Sequence, residues 1–391
     1  METKEQPGTA ASWKTIQRGH KRRPLEWLAE RAIFLVSLSA IVMVFVIFVF
    51  VAREALPVVL GQTNDANDFT VIPAEKMDEV PKEKLRAYLG LTQKDFTRLD
   101  HDALQALMEV KAEEAKEGGK GKDSKINTTS WRYLLRPYAW EDHAKPEYVW
   151  EPVAQTPKFN IMPRVVGSLK VTLVALLFAV PVSLAAAIYV SQLAPPKLRE
   201  FLKPVIELLS GVPSVVLGFF CLIVLASIFQ KILGYPSRLN AFVAGAGLAL
   251  AVIPVVFSIS EDALTSVPRS YLQAALALGA SRWQAAWQVT LPAAMPGVFA
   301  AIILGFGRAI GETMIVLMAS GSARIMSWNL FDSTKSITNA IAAELGEAVA
   351  GGDHYRILFL IGALLFLVTF FSNLAGELVM HRLKAKMEGK R

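Results

Sequence analysis

The 391-residue sequence has a single cysteine, Cys221, so it can form no intramolecular disulfide and build no cysteine-based zinc site. It lacks a G-x-x-x-x-G-K-[ST] string. The nearest approach, GGKGKDSK at 118–125, has the wrong spacing, so the chain carries no phosphate loop and does not hydrolyse ATP alone. H-E-x-x-H is absent. The five histidines (His20, His101, His143, His354, His381) are scattered over tails and loops, so no metal cluster is expected. No serine stands beside a base: Ser258 and Ser260 are expected to hydrogen-bond to their own helix backbone. No catalytic residue is assigned, and an enzymatic role has no supporting constellation. Charge is scarce as well, at 19% of residues, with 53% hydrophobic. Soluble chains sit near about 25% charged, and disorder, collagen and coiled coil are excluded by the same composition.

What the sequence has instead is long apolar runs. A helix needs about 20 such residues to cross a hydrocarbon core of about 30 Å. Six segments qualify: 32–52, 165–191, 205–232, 241–260, 297–320 and 357–380. The first is too long for a signal-peptide core and no A-x-A-like site follows it. The second contains one charge, Lys170, expected to snorkel outward. The expected fold is therefore an all-α polytopic membrane protein with six transmembrane helices. Its parts are a tail at 1–31, the first helix at 32–52, an insert at 53–164, a core at 165–380 and a tail at 381–391.

The net charge of +7 invites a nucleic-acid reading, but its distribution argues otherwise. Lys14, Arg18, Lys21, Arg22, Arg23 and Arg31 precede the first span, and Arg382, Lys384, Lys386, Lys390 and Arg391 follow the last. Lys197, Arg199 and Lys203 follow the second, and Arg269 and Arg282 follow the fourth. With six spans all of these fall on one side, which the positive-inside rule makes cytoplasmic. Both termini are then cytoplasmic in a multi-pass protein of the plasma membrane, and no nucleic-acid partner is expected. The insert falls outside. Within it, Leu104, Leu107, Met108 and Lys111 recur at helical spacing in 100–117, with Asp100 or Asp102 as cap, and Pro81–Leu91 reads as a second short helix. Gly118–Asn127 reads as a linker. Trp131, Tyr133, Tyr138, Trp140, Tyr148 and Trp150 then form an aromatic stretch. Such residues pack an insert, lie on lipid headgroups or dock an external partner.

The segment 261–296 is the longest cytoplasmic connection. Tyr271–Leu278 is helical in character with Gly279 as a stop, and Ser281 is placed to cap a second helix, Arg282–Thr290, ending before Pro292. Leu272, Leu276, Trp283 and Trp287 give this hairpin more apolar surface than a free loop needs, so it either folds back on the bundle or fills a groove on a partner. Span five holds Arg308, 11 residues after Gly297 and so ~16 Å along a helix, near mid-membrane. Glu312 follows at i+4 on the same face. Charges at that depth cost at least about 2.5–3.5 kcal/mol each. They form either a packing salt bridge or a site on a translocation path, where a guanidinium would suit a tetrahedral oxyanion. Gly305, Gly307 and Gly311 leave room for another helix to approach. Pro213 is expected to kink span three.

Gln273-Ala274-Ala275, three residues, Gly279, nine residues, Val289, Thr290, Leu291-Pro292 resembles the EAA loop of ABC-importer permeases, with Gln273 in place of the usual glutamate. GRAIGETMIVLMASG (307–321), SGVPSVVLGFF (210–220), PVSLAAAIYVSQLAPPKLR (181–199) and REALP (53–57) resemble phosphate-importer permeases, the PstC-type subunit more than the PstA-type. The resemblance does not extend to most of 60–149. It implies a type I ABC importer permease (MetI-like) fold with an extracytoplasmic insert. Inorganic phosphate would be the substrate, with Arg308, Glu312 and Thr313 on the substrate path. Gln273, Ala274, Ala275, Gly279, Leu291 and Pro292 would couple to an ATPase. The implied partners are a second permease, an ATPase dimer that binds the ATP, an extracytoplasmic phosphate-binding protein and membrane lipid. No cofactor or metal of the chain's own is implied. Two alternatives remain open at this point: a permease for molybdate, sulfate or phosphonate, or a non-transporting membrane sensor or scaffold.

Overall fold

The computed structural model describes residues 24–62, 85, 86, 89, 91, 93–118, 126–154 and 156–387. Lys14, Arg18, His20, Lys21, Arg22, Arg23, Lys390 and Arg391 lie outside the described residues, as do most of 81–91 and of the 118–127 linker and the side chains of Lys384 and Lys386. Among the described residues, six helices are long and apolar enough to cross a membrane: Glu30–Val59, Met162–Leu193, Ser214–Leu233, Ala241–Thr265, Arg282–Ile310 and Asp353–Met380. We refer to them as spans one to six.

Residues 1–50 and 51–391 form two units. In the first, Ile33, Phe34, Leu35, Val36, Met43 and Phe45 are all more than half exposed. These positions cover the whole helix circumference, as a lipid-facing helix requires. In the second unit, span two packs along span four, span four along five, and five along six. Val171, Ala175, Ala179, Leu248, Val252 and Val256 form the seam. Close approach depends on missing side chains. A Cβ at Gly245 would stand 2.5 Å from the Val174 Cβ, and one at Gly305 would stand 2.6 Å from Val256. In lipid, packing of this kind is what holds helices together.

Two predicted spans have different limits in the structure. Span three begins at Ser214, not at 205, because Val212 and Pro213 are extended (ψ 125° and 135°). Proline lacks the N–H a helix needs there and disfavours the helical region for the residue before it. Pro213 therefore starts the span; it does not kink it. The residues before it form a separate helix, Pro196–Leu208, tied to the end of span four: Arg199 and Lys203 both pair with the fully buried Glu261, and Lys203 also with Asp262. The connections after spans two and four thus share one end of the bundle, as the charge distribution requires.

Span five runs from Arg282 to Ile310 and stops there, so the predicted 297–320 helix is replaced by a longer one that begins in the coupling segment. A π-type turn, Ala286–Thr290, carries the helix past Pro292, where a stop was expected. The widened turn accommodates the ring and the missing donor.

The segment after span one has its own small core. Asp100 accepts from the Ala103 N–H and caps helix His101–Gly118, whose Leu104 and Met108 bury against Leu85 while Leu107 stays exposed. The aromatic stretch mostly packs inward. Trp140 and Trp150 are buried, and Tyr133, Tyr138 and Trp140 meet ring to ring. Trp150–Glu151 pairs with Lys158–Phe159, and Val149 pairs with Ile325 of the connection between spans five and six.

Candidate functional site at a broken helix

Span five ends one residue before Gly311. The chain turns through Gly311-Glu312-Thr313 and resumes as a short helix, Met314–Ala319. Glycine destabilises a helix interior, and a threonine flanking a new helix is a common start signal. The i,i+4 salt bridge, one of the two readings open from the sequence, is not made, because the helix does not continue through 308–312. Glu312 Oε1 instead accepts from the Thr313 and Met314 N–H groups, both at 3.1 Å, and so caps the second half-helix. A carboxylate is stabilised at a helix N-terminus. Thr313 donates its hydroxyl to the Gly311 carbonyl at 3.4 Å.

Arg308 stands in the last turn of span five, where exposed carbonyls favour a cation. Its side chain is exposed in the isolated chain and makes no hydrogen bond or ion pair with a described residue. It is near the end of its helix, not half-way along a 297–320 span. The break nevertheless lies within the bundle. Met314–Ala319 packs on the start of span three, where a Cβ at Gly218 would stand 3.1 Å from the Met314 carbonyl. Of the small residues around Arg308, Gly305 faces Val256 of span four and Gly307 faces Asn373 of span six. Discontinuous helices of this kind gather unpaired backbone groups and ionisable side chains at a binding site.

A third half-helix, Ile337–Glu344, lies behind the break. Ser336 caps it, accepting from the Asn339 N–H, and the Ile337 N–H donates to Ser168 of span two. Thr338 donates its hydroxyl to the Glu312 backbone carbonyl at 2.9 Å. At its other end, Glu344 receives Trp150 Nε1 and His354 Nε2 at 2.9 Å each and Lys335 Nζ at 2.5 Å. Burial alone would raise this carboxyl's pKa; the His354 and Lys335 hydrogen bonds overcome that and hold it at about 2. This clamp, absent from the sequence reading, joins the insert to the start of span six. Lys335, Glu344 and His354 lie within 20 residues of one another, but Trp150 is 194 residues from Glu344, and no motif links the four.

Lys170 does not snorkel into solvent. It is buried and donates to the Ser327 and Asn329 carbonyls at 2.7 and 3.1 Å, while Arg164 donates to the Ala323 carbonyl and lies over the Trp150 ring. The 321–336 connection thus supplies the acceptors water would have given. Ser258 bonds to Glu207 at 3.3 Å, not to its helix backbone, and the buried Ser260 hydroxyl has no partner among the described residues. Asp142, His143 and Glu151 converge, an arrangement the sequence did not suggest. Lys158 Nζ contacts both carboxylates, so an ammonium already balances them.

In the coupling segment, helix Arg269–Ala277 ends before Gly279, whose φ of +86° is a left-handed stop. Ser281 and Gln284 form a reciprocal capping box. Gln273, Ala274, Gly279 and Pro292 are exposed, Leu291 is half-buried, and Ala275 is buried at the base. Tyr271, Leu278, Trp283 and Trp287 are exposed, with Leu278 at 90%. Of the four apolar residues singled out in the sequence, Leu276, Trp283 and Trp287 are exposed and Leu272 is half-buried.

The family model for binding-protein-dependent transport system inner membrane components matches residues 179–387. The chain belongs to this family. That stretch includes both the coupling segment and the broken helix of this permease. A probable ABC transporter permease protein, YqgH of Bacillus subtilis (strain 168), is 35% identical over 221 residues, covering 56% of this chain and 72% of that protein. The phosphate transport system permease protein PstC of Pasteurella multocida (strain Pm70) is 33% identical over 261 residues, covering 62% and 80%. Among solved structures, a chain of the inward-facing MetNI methionine ABC transporter superposes with a TM-score of 0.43 at 16% identity, covering 57% of this permease and 94% of that chain. The family assignment rests on the sequence comparisons.

Proposed function

We propose that this permease is a membrane-spanning subunit of an ATP-driven importer of inorganic phosphate, and that Arg308 is the transient anion site on its path. The observation that carries the reading is a guanidinium with no carboxylate partner among the described residues, at a helix break in the bundle. An unpaired cation is available to an anion, and its planar fork suits phosphate oxygens. The relatives named as phosphate permeases support that choice of anion over other oxyanions. Glu312 and Thr313 shape the break beside it. The Glu312 charge would keep binding weak, which transport requires, since tight binding midway would trap the substrate.

The exposed hairpin from Gln273 to Pro292 would seat in a separate ATPase subunit, with a second permease completing the pathway. An extracytoplasmic binding protein would deliver phosphate, and alternating access would follow closure of the ATPase dimer. Both termini would be cytoplasmic. Uptake by the complex reconstituted with its ATPase in vesicles tests this reading. Phosphate should be accumulated with ATP, and Arg308→Ala should abolish uptake while the subunits still co-purify. Normal phosphate uptake by that variant would sink the site assignment.

A further inference from the structure

The break at Gly311-Glu312-Thr313 leaves backbone groups that no helix satisfies, and one of them has a partner from another element. The Glu312 carbonyl accepts from the Thr338 hydroxyl at 2.9 Å, 26 residues away in sequence. Thr338 is 8% exposed and its position is over-determined. Its hydroxyl lies 3.0 Å from that of Ser336, which also caps the half-helix. Ser168 of span two holds the Ile337 N–H. Seven residues after Ile337, Glu344 is held by Trp150, Lys335 and His354. One short rigid helix therefore touches the break at its first turn and the clamp of the insert and span six at its last.

We propose that Thr338 is a positioning residue: its hydroxyl fixes the backbone of the break and thereby the placement of Glu312 and Arg308. The Ile337–Glu344 helix then acts as a strut that carries the position of the outer clamp to the substrate path. The proposal rests on the reading of Arg308 as the anion site. The hydrogen bond is to a main-chain carbonyl, so its loss leaves the Glu312 carboxylate and the Arg308 guanidinium chemically intact and changes only where they stand. A misplaced anion site raises the concentration needed for half-maximal uptake more than it alters the number of assembled transporters.

The test uses the whole complex in vesicles, with phosphate uptake as readout and co-purification of the ATPase as the measure of assembly. Thr338→Val keeps the shape and removes the donor, and we expect about a five- to tenfold rise in KM for phosphate, the size of one lost hydrogen bond. Thr338→Ser restores the donor and should bring KM back to within about twofold of the parent. Thr338→Ala, which leaves a void and not a mismatch, should show the same rise as Thr338→Val and is the reading taken if the valine variant does not assemble. An unchanged KM in Thr338→Val or Thr338→Ala, or a serine variant as impaired as the valine one, would overturn the positioning role. Arg308→Ala, run alongside, separates the two ideas. If it abolishes uptake while the Thr338 variants are normal, the site stands and the strut falls; if it transports normally, the site itself is wrong.

Discussion

Two sets of cations in this bundle are held in opposite ways. At the end of span four, Arg199 and Lys203 both lie on Glu261, whose side chain is almost fully excluded from solvent. At the end of span five, Arg308 has no carboxylate partner among the described residues, although Glu312 is four residues away. The nearby carboxylate is spent on two backbone N–H groups. The difference separates roles. A buried ion pair with all its partners is a latch between elements, and breaking one side of it leaves an uncompensated charge. On the proposed reading, a cation left without a carboxylate among the described residues beside a helix break is available to an arriving anion.

The largest expected effect breaks the comparison at Arg308. Arg308→Ala should cut phosphate uptake by at least about 100-fold, since a positioned charge acting on the substrate is lost outright. Arg308→Lys should retain a small fraction, because a point charge without the planar fork keeps attraction and loses bidentate geometry. Both should leave thermal stability near that of the parent, measured in detergent by the temperature at which the chain aggregates. A large stability loss in Arg308→Ala would move Arg308 into the class of structural ion pairs.

Glu261→Ala is the converse. Removing the shared carboxylate leaves Lys203 with Asp262 and Arg199 with the Thr265 hydroxyl, both cations about one-third exposed, and takes two charged hydrogen bonds from the Pro196–Leu208 helix, so we expect about 2–3 kcal/mol of destabilisation. Surviving protein should take up phosphate in proportion to its folded amount. A folded variant with uptake lost per molecule would show that the latch is part of the transport cycle.

These two sites differ in how legible they were. Both Arg308 and the coupling hairpin were visible because they break a strong pattern: a charge inside an apolar run, and a fixed spacing of small residues around Gly279. The break after Ile310 was encoded in Gly311-Glu312-Thr313, a stop followed by a start, but the apolar residues on either side read as one continuous run. The same masking hid the true start of span three, where Pro213 marks a boundary within apolar sequence. Lys170 and Glu344 were not legible at all as partners. Their acceptors and donors are main-chain carbonyls and a tryptophan N–H more than 150 residues away, with a lysine and a histidine nine and ten residues from Glu344, and hydrophobic periodicity carries no record of such pairings.

The clamp at Glu344 extends the comparison to the opposite end of the bundle. Its carboxyl is held at about 2, below its ordinary value of 4.5, so the folded state binds fewer protons than the unfolded state between those limits. The stabilisation is therefore complete above about pH 4.5 and is lost as the pH falls through about 2. Glu344→Gln should destabilise the outer clamp by about 2–3 kcal/mol at neutral pH and flatten stability across that acid window. Thermal melting from pH 6 down to the acid limit of the detergent system checks both. An unaltered acid profile would mean other carboxylates govern it.

The smallest effect lies at Glu312, where the two roles meet in one side chain. Glu312→Gln keeps an oxygen to accept from the Thr313 and Met314 N–H groups, so the cap should lose no more than about 1 kcal/mol. It removes a negative charge four residues along the chain from Arg308, and with it the repulsion an anion would meet at the proposed site. If the charge serves to weaken binding, the variant should show a lower KM for phosphate together with a lower maximal uptake, because release becomes slower. If the carboxylate serves only as a cap, both constants should stay at parent values while the melting temperature drops slightly. The two outcomes are distinguishable in one uptake series, and they decide whether a carboxylate whose Oε1 caps the next helix through the Thr313 and Met314 N–H groups also sets the strength of a site through its field.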